Sequence, residues 1–390
     1  MRVKNPRVLI LLGWYEDRVY RGIARYAMKA GWHLCNDAAR EKVVPWGWQG
    51  HGILAWLGAG DELADFALKA KKPTVDFSYR RPELPFAHVL TDQAASAKLV
   101  AEHFLIRGFK HFYFYSSQAN WAAYEAGTAY SSNLQEAGHE CTWIRWDESS
   151  SFSTGHVGWR DKRRWLAAKL KTAPKPLALY ACDDTCALEV VETCEDSGLK
   201  VPDDVSVIGM GDALPAVEAM RTPISSVDQS FETLGYRGAE LLDEIMRGKQ
   251  VPSDPIRIPP TGLVTRKSSD LMALGHSGIA RCLQFIWKNC HKPIGVDDLA
   301  KVAGMSRSGL HKAFIFHIGR APGTELHRVR IETAKRMLAQ TGMKLEEIAE
   351  KSGYQSANSF WVAFRQSTGM SPKQYQTKFY ISMAGANSHH

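Results

Sequence analysis

The chain has 390 residues, a formal net charge of +8 and 45% hydrophobic residues. No run approaches the ~20 consecutive apolar residues of a membrane helix. The charged start runs into a short apolar strand at Val8 and lacks the long apolar region and cleavage site of a signal peptide. These features argue against a membrane-spanning or exported protein, and we expect a cytoplasmic one.

Short apolar runs alternate with helical patterns through the first 265 residues. The predicted strands are Val8–Leu12, Gly52–Trp56, Thr74–Phe77, Phe112–Tyr115, Leu177–Tyr180 and Val205–Ile208. Strands in this rhythm predict parallel βαβ units, and about 260 residues suggest two α/β lobes rather than one layer. Ligands of such folds bind in the cleft at the carboxyl ends of the strands.

The seven cysteines are an odd number without zinc-finger spacing, which indicates free thiols in a reducing compartment. Cys182, Cys186 and Cys194 are spaced to share a helix face, but a free cysteine is most often a small buried apolar residue. The 14 histidines form no H-E-x-x-H or comparable set. We therefore predict no metal site, no cofactor and no catalytic residues.

The last hundred residues contain one helical phrase twice, and a second amphipathic helix follows each copy. In the first copy, an apolar stripe comprises Val296, Leu299, Ala300 and Ala303. Gly304 ends this helix because the turn needs a residue that tolerates positive φ, and Ser306 caps the next helix. The polar side of that helix, which a major groove would receive, carries Arg307, Ser308, His311 and Lys312.

The second copy repeats this plan, with Gly353 at its turn and a helix that starts at about Ser356. Trp361 and Val362 are available to touch thymine methyls or sugars. The polar residues of this copy are Gln355, Ser356, Asn358, Ser359 and Arg365. Between the copies, Thr324 to Leu338 predicts one longer helix that would hold the two units at fixed spacing.

Charge gives an independent indication of a nucleic-acid partner. Residues 276–380 contain 16 Lys and Arg against 7 Asp and Glu, whereas the remainder contains 33 basic and 34 acidic residues. The whole positive excess therefore lies in the segment with the repeated helices, as phosphate binding requires. A basic solvated face on an ordinary helical bundle is the alternative, but two copies with polar second helices favour double-stranded operator DNA.

The segment from His276 to Lys378 resembles the DNA-binding domain of AraC/XylS-type transcription regulators. It contains I-A-x-x-x-G-Y from Ile348, F-x-x-x-F-R from Phe360 and G-M-S-P-x-x-Y from Gly369. The resemblance implies an all-α domain in which two helix-turn-helix motifs place their recognition helices in successive major grooves.

The first 265 residues resemble the sensor domain of LacI/GalR repressors, which has a type I periplasmic-binding-protein fold. The phrases that carry this likeness are Leu90–Asp92, Arg107–His111, Leu179–Leu188, Gly198–Gly209 and Ser225–Gln229. A sensor of this kind before an AraC-type reader is the architecture of XylR-like regulators. The resemblance implies a homodimer with a monosaccharide effector, and RNA polymerase as a partner if the protein activates transcription. The implied domains are 1–265 for effector binding and dimerisation, 266–275 as linker, 276–380 for DNA binding and 381–390 as tail.

The same resemblance assigns effector-binding roles to residues at strand ends. The polar candidates are Asp17, Arg18, Asp92, Asp184, Asp212 and Gln229. The aromatic candidates, on which the C–H face of a sugar would stack, are Trp14, Tyr15, Phe77 and Trp121. Asp92 is equally suited to cap the helix after it, and aromatic residues at strand ends are more often ordinary core.

Two departures from the family pattern bear on the effector. The family commonly has an arginine shortly after Trp121, but the stretch here reads Glu125-Ala-Gly-Thr-Ala-Tyr130 and contains none. Where the family has an acidic residue at a later strand end, this chain has Gly211, and Asp212 comes one place later. We therefore expect a sugar, xylose or another monosaccharide, or else a ligand-independent regulator with a vestigial sensor. An enzyme that acts on sugars, with Asp183–Asp184 or Glu16–Asp17 as acid and base, is less favoured because the chain has no P-loop and no G-x-S-x-G.

Overall fold

The computed structural model describes residues 5–36, 38, 43–59, 61–79, 82–117, 120–146, 159–212, 216–271 and 276–379. These residues form two compact units. The first comprises the described residues of 1–95, 119–125 and 229–260, and the second comprises those of 96–118, 126–228 and 261–390. Each unit contains a six-stranded sheet, and the second also contains the C-terminal helices, which confirms the predicted fold class.

The strands are β1 Arg7–Leu12, β2 His33–Cys35, β3 Gly52–Trp56, β4 Thr74–Asp76, β5 Ala87–Thr91, β6 His111–Ser116, β7 Cys141–Arg145, β8 Leu177–Ala181, β9 Val205–Met210, β10 Ser225–Asp228, β11 Ile256–Ile258 and β12 Gly262–Val264. The helices are α1 Asp17–Ala30, α2 Asp61–Ala70, α3 Gln93–Ile106, α4 Trp121–Glu136, α5 Trp159–Thr172, α6 Asp184–Ser197, α7 Ala216–Ala219, α8 Phe231–Met246, α9 Ser277–Asn289, α10 Val296–Ala303, α11 Arg307–Ile318, α12 Pro322–Gln340, α13 Leu345–Lys351, α14 Ala357–Thr368 and α15 Pro372–Phe379. All six predicted strands are confirmed.

The first sheet has the strand order β11-β5-β4-β3-β1-β2, and all of its pairs are parallel. Strand β1 shows why its sequence is continuously apolar. Val8 and Ile10 pack in one apolar cluster with residues of α1 and α8, whereas Leu9 and Leu11 pack in another with residues of α2. Both faces of the sheet are therefore covered, as parallel sheets require.

The second sheet has the strand order β12-β10-β9-β8-β6-β7. Its pairs are parallel except for β12, which runs antiparallel to β10. Every residue of the central strand β8 is buried. Because β8 runs directly into a turn and helix α6, the residues after Ala181 lie at the carboxyl edge of this sheet.

Helices α9 to α15 build two apolar clusters that share one helix. The first cluster includes Leu310 and Phe314 of α11 and receives Leu326 from α12. The second includes Phe360 and Phe364 of α14 and receives residues from the later part of α12. Helix α12 is two residues longer at each end than the predicted Thr324–Leu338, and it joins the two helix-turn-helix units as predicted.

Residues at the start of the predicted linker pack against the second sheet. Ser268 and Ser269 are buried in a short 3-10 turn. The Ser268 hydroxyl donates to the Val207 carbonyl at 2.6 Å and accepts from the Ser225 N–H at 2.8 Å. The predicted linker 266–275 therefore begins with residues that pack against the second sheet. Positions 272–275 and the predicted tail 381–390 lie outside the described residues.

Among the residues that the structure describes, no helix combines the length and the apolar character that crossing a bilayer needs.

Candidate DNA-binding surface and effector-binding residues

The first helix-turn-helix unit consists of α10 and α11, and two residues set its turn. Gly304 adopts the left-handed conformation with φ 70°, and its N–H donates to carbonyls in the last turn of α10. The Ser306 hydroxyl accepts from the Gly309 N–H at 3.1 Å and caps α11. The roles predicted for Gly304 and Ser306 are both confirmed.

The exposed side of α11 carries all the polar residues predicted for it, which are Arg307, Ser308, His311 and Lys312. Arg307 forms an ion pair with Asp297 of α10, so the first helix of the unit positions this guanidinium. Ile315 and Phe316 are also exposed, Phe316 to 83%. The first unit therefore offers hydrogen-bond donors at the start of α11 and apolar surface at its end.

The second unit consists of α13 and α14 and repeats the same construction. Gly353 is left-handed with φ 84°, and the Ser356 hydroxyl accepts from the Ser359 N–H at 3.1 Å to cap α14. Phe360 and Phe364 are buried. As predicted, α14 packs through its aromatic side and leaves its polar side open.

The open side of α14 contains the remaining residues predicted to bind DNA, which are Gln355, Ser356, Asn358, Ser359, Trp361 and Arg365, all exposed. The Arg365 guanidinium lies over the Trp361 ring, 5.2 Å from its centroid. Stacking on an indole restricts a guanidinium while leaving its N–H groups available. Arg365 is therefore held in a conformation that suits contact with a base or a phosphate.

Polar contacts fix α12 to the rest of the domain. The Arg330 guanidinium donates to the backbone carbonyls of Cys290, Lys292 and Ile294, with 2.9 Å between Nε and the Cys290 oxygen. Glu325 of α12 is fully buried and lies 3.5 Å from the Arg320 guanidinium in the turn before the helix, and it also accepts from Arg328 one turn later in the same helix. Such charge-assisted bonds are stronger than neutral ones, so α12 is anchored as well as packed.

The second sheet's layer contacts the helical domain directly, within the second unit. Ile106, at the end of α3, belongs to the apolar cluster of the first helix-turn-helix unit. The buried Arg107 guanidinium lies 4.0 Å from the centroid of the Trp287 ring of α9. Burial lowers the pKa of Arg107 to about 9, so the guanidinium is still mostly charged at neutral pH. The two regions therefore meet through an apolar and a cation–π contact.

The loop after β1 gives the two predicted effector residues Asp17 and Arg18 different partners. Asp17 is exposed and forms an ion pair with Arg21 at 2.6 Å. Arg18 instead donates from Nε to Glu16 at 2.9 Å, and Glu16 also accepts from the Arg18 N–H as the cap of α1. Glu16 was missed, although its place directly before a helix is typical of a capping residue.

The four aromatic candidates fall into two groups. Trp14 is 43% exposed with its ring edge-on to Trp56 at 4.8 Å, and Tyr15 is also exposed. Trp121 is half-buried beside Tyr79. Phe77 is only 1% exposed and lies in the apolar core of the first unit. Phe77 is therefore a core residue that offers no face for stacking, whereas the other three have accessible rings.

Asp92 and Gln229 have different partners at the edge of the first sheet. Asp92 accepts from the Ala95 N–H at 2.9 Å and so acts as a cap of α3. The Gln229 amide donates to Gln93 at 3.2 Å, and Gln93 donates to the Thr91 hydroxyl at 2.8 Å. Gln93 was missed, and its position beside Asp92 after a strand was the available signal.

A second polar pair in the first unit was also missed. Asp76 is completely buried and accepts from the N–H groups of Leu57 and Ser78 at 3.1 and 2.9 Å. Burial raises the pKa of Asp76 to about 6. His88 lies 3.8 Å from this carboxylate, and burial lowers its pKa. Its Nε2 is buried without a hydrogen-bond partner among the described residues. An acid inside the predicted strand Thr74–Phe77 was the signal for this pair.

The two candidates of the second unit are linked through one hydroxyl. Asp184 is buried and accepts a short hydrogen bond from the Ser226 hydroxyl, which itself accepts from the Asp212 N–H at 3.0 Å. Asp212 is left-handed with φ 47°, and its carboxylate accepts from Arg266 at 2.7 Å. The structure thus brings Asp184 and Asp212 together and ties the loop of Asp212 to Arg266, just after β12.

Glu125, one helical turn after Trp121, stands near the position where the family pattern has an arginine. The Glu125 carboxylate forms an ion pair with Arg257 of β11 at 2.7 Å, and its second oxygen is buried. The positive charge beside this part of α4 is therefore the Arg257 guanidinium of β11, and not a side chain of α4 itself.

Comparisons with known proteins agree with this arrangement. Residues 101–269 match the family model of the periplasmic binding protein-like domain, and residues 299–378 match that of a helix-turn-helix domain. The chain is 26% identical to the xylose operon regulatory protein of Escherichia coli K12, over 96% of this chain and 98% of that protein. It is 27% identical to the protein of the same name from Haemophilus influenzae, over 75% of each chain.

A solved structure has the same fold along nearly the whole chain. It is described as the xylose-binding transcription activator XylR, and it matches with a TM-score of 0.59 and 24% identity over 98% of this chain and 100% of that one. The fold and the two helix-turn-helix units define a DNA-binding transcription regulator with a periplasmic-binding-protein-like sensor domain. In the order of its domains it is similar to the xylose operon regulatory proteins.

Proposed function

We propose that a monosaccharide, xylose or another small sugar, binds the sensor domain and changes the affinity of the helix-turn-helix domain for operator DNA. The observation that carries this proposal is the packing of Ile106 and Arg107 against the helical domain, because it puts the end of α3 of the sensor in direct contact with α9 and the first helix-turn-helix unit. An effector that binds the two sensor states unequally would thereby shift the position of the reading helices.

The effector-binding residues that we propose have accessible aromatic rings or polar groups at strand ends. In the first unit they are Trp14, Tyr15, Asp17, Arg18, Asp92, Trp121 and Gln229, joined by Glu16 and Gln93. In the second unit they are Asp184 and Asp212. Apolar rings with a few placed hydrogen-bonding groups are typical of sugar sites. Because the arginine that the family commonly has after Trp121 is absent, we propose either xylose or another monosaccharide as the effector.

We further propose a cytoplasmic homodimer that is not an enzyme and that contacts RNA polymerase if it activates transcription. The similar xylose operon regulatory proteins support the regulatory role. A regulator with a vestigial sensor is the second candidate, because the family arginine after Trp121 is absent and Asp212 is already paired with Arg266.

The test is binding of the full chain to its own upstream intergenic DNA at fixed salt, with and without xylose, arabinose, ribose, glucose or fucose. One sugar that shifts the affinity or footprint establishes gating and identifies the effector. Tight DNA binding that no sugar changes, together with no heat of binding for any sugar in calorimetry, supports the vestigial sensor and contradicts sugar gating.

A variant of the contact between the domains tests the route of the signal. Trp287→Ala removes the ring under Arg107, and we expect sugar binding to persist while the sugar no longer alters DNA affinity. Trp159→Ala, which removes an exposed ring under Arg163 in the sensor, is the matched control and should leave the coupling intact. Full coupling in Trp287→Ala would contradict this route.

A further inference from the structure

The turn between β8 and α6 brings together two thiols and a carboxylate, although the sequence predicted no metal site there. Cys182 follows the end of β8, Asp183 caps α6, and Cys186 lies in its first turn. The Cys182 and Cys186 sulfurs are 3.5 Å apart, and the Cys182 sulfur is 3.6 Å from Asp183 Oδ2. All three donor atoms lie within 4.8 Å of one another.

We propose that Cys182, Asp183 and Cys186 form a binding site for a thiophilic divalent cation of the zinc type. Ideal tetrahedral zinc, with bonds of about 2.3 Å to sulfur and 2.0–2.2 Å to oxygen, separates two sulfurs by about 3.8 Å and a sulfur from an oxygen by about 3.5 Å. The observed separations of 3.5 and 3.6 Å are close to these values. The Cys182 sulfur is therefore already spaced to share an ion with Cys186 and with Asp183, and the latter two donors lie within 4.8 Å of each other.

The local fold explains why the donors are already arranged. Asp183 Oδ1 accepts from the Cys186 N–H at 2.7 Å, which fixes the carboxylate and leaves Oδ2 beside the Cys182 sulfur. Cys182 and Cys186 are 6% and 1% exposed, whereas Asp183 is only partly buried. Three protein ligands and an open fourth position are typical of zinc sites that also bind water or a ligand.

The donor set selects the class of ion. Two thiolates favour zinc over magnesium or calcium, and the carboxylate favours zinc over copper(I). Binding replaces two S–H bonds by two metal–sulfur bonds and releases two protons, with no change of oxidation state. Because both thiols must lose their protons for the ion to bind, the affinity should fall as the pH falls, by up to about 100-fold per pH unit.

The site also has a structural consequence. A bound ion would connect the end of β8 to the first turn of α6. Asp184 lies between the ligands Asp183 and Cys186 and accepts a hydrogen bond from Ser226 of β10. The ion would hold fixed the loop that carries one of the proposed effector residues. The site itself does not depend on that role, because metal binding is measured independently of sugar and DNA.

The test is titration of the reduced full chain with Co²⁺, followed by the sulfur-to-cobalt charge-transfer absorption, which histidine and carboxylate ligands do not produce. We expect saturation at one equivalent and displacement of Co²⁺ by Zn²⁺. Cys182→Ser and Cys186→Ser should abolish the absorption. Cys194→Ser, which alters another buried cysteine of α6, is the matched control and should retain it.

Asp183→Asn keeps the proposal testable if a serine variant fails to fold. Asparagine preserves the helix cap and removes the charged ligand, so we expect at least tenfold weaker Co²⁺ binding in a protein with unchanged circular dichroism. Absence of a saturable charge-transfer band in the wild type, or its persistence in both folded serine variants, would overturn the proposal.

Discussion

The two helix-turn-helix units have the same plan but use their turn glycines differently. A Cβ on Gly304 would meet nothing within 4 Å, so this position needs glycine only for its backbone conformation. A Cβ on Gly353 would lie 2.0 Å from the Cys290 carbonyl oxygen, which Arg330 also contacts. The first turn is thus locally determined, whereas the second is a packing contact with the end of α9. Equivalent sequence positions therefore differ in their energetic importance.

The largest expected difference comes from replacing each glycine by alanine. Gly304→Ala should cost about 1 kcal/mol, the price of a left-handed alanine. Gly353→Ala should cost about 3 kcal/mol or more, because the backbone or Arg330 must also move. Chemical denaturation of the full chain, with hydrogen exchange of α13 and α14, measures both. Equal costs would show that the second turn relaxes freely.

The reading residues differ in the same way between the units. Arg365 stacks on Trp361, so Arg365→Ala should weaken operator binding by about 1–3 kcal/mol and relax specificity at one base pair. Arg307 is paired with Asp297, so Arg307→Ala should weaken operator binding less than Arg365→Ala does. Anisotropy titrations against operator and scrambled DNA at several salt concentrations measure this. Equal weakening on both DNAs with a lower salt slope would identify Arg365 as a phosphate contact.

Loss of either helix cap should cost the same unfolding free energy, in contrast to the two turn glycines. Ser306→Ala and Ser356→Ala should each lower the free energy of unfolding by about 1 kcal/mol, because each removes a hydroxyl that accepts a backbone N–H. Ser306→Asp is the control for α11, since it keeps the cap and adds a negative charge near the DNA. It should preserve thermal stability and weaken DNA binding. A stable Ser306→Ala would contradict the capping role.

The smallest expected effect is a gain. Asp297→Asn removes the carboxylate paired with Arg307 in an exposed ion pair, which contributes little to stability. We expect DNA binding to tighten roughly two- to fivefold at low salt and the gain to shrink as salt increases. Glu347→Gln, which alters an exposed acid of α13 paired with Lys351, is the control in the second unit. Weaker binding in Asp297→Asn would show that Asp297 orients Arg307 productively.

Features determined by neighbours along the chain could be predicted from the sequence. Gly304, Ser306 and Ser356 occupy their predicted places because caps and turns depend on one or two local hydrogen bonds. Gly353 was also predicted at its turn, but its close contact with Cys290 was not. The long central strands were equally readable, since both of their faces are buried. Short strands such as β2 and β11 were not predicted, because three residues carry little periodicity and pair only when the rest of the sheet is present.

Side-chain partners in the sensor were harder to predict than its strands. Glu16, Asp17 and Arg18 are adjacent, and only the start of α1 decides that Glu16 turns toward Arg18 while Asp17 faces Arg21. Phe77 reads as a strand-end aromatic, but its exposure depends on residues distant in sequence. The approach of Cys182 to Cys186 likewise depends on Asp183 as the cap between them. These contacts follow from three-dimensional geometry that spacing alone does not specify.

Helix α12 contributes to both apolar clusters of the DNA-binding domain and is anchored by Arg330. It therefore keeps the distance between the two helix-turn-helix units constant. One inserted base pair between the two contacted DNA segments would move the second by about 3.4 Å and rotate it by roughly 35°. The protein has no joint within α12 to absorb that change. Operators for this regulator should therefore vary in base sequence more readily than in spacing, and the DNA must bend or twist wherever the spacing is wrong.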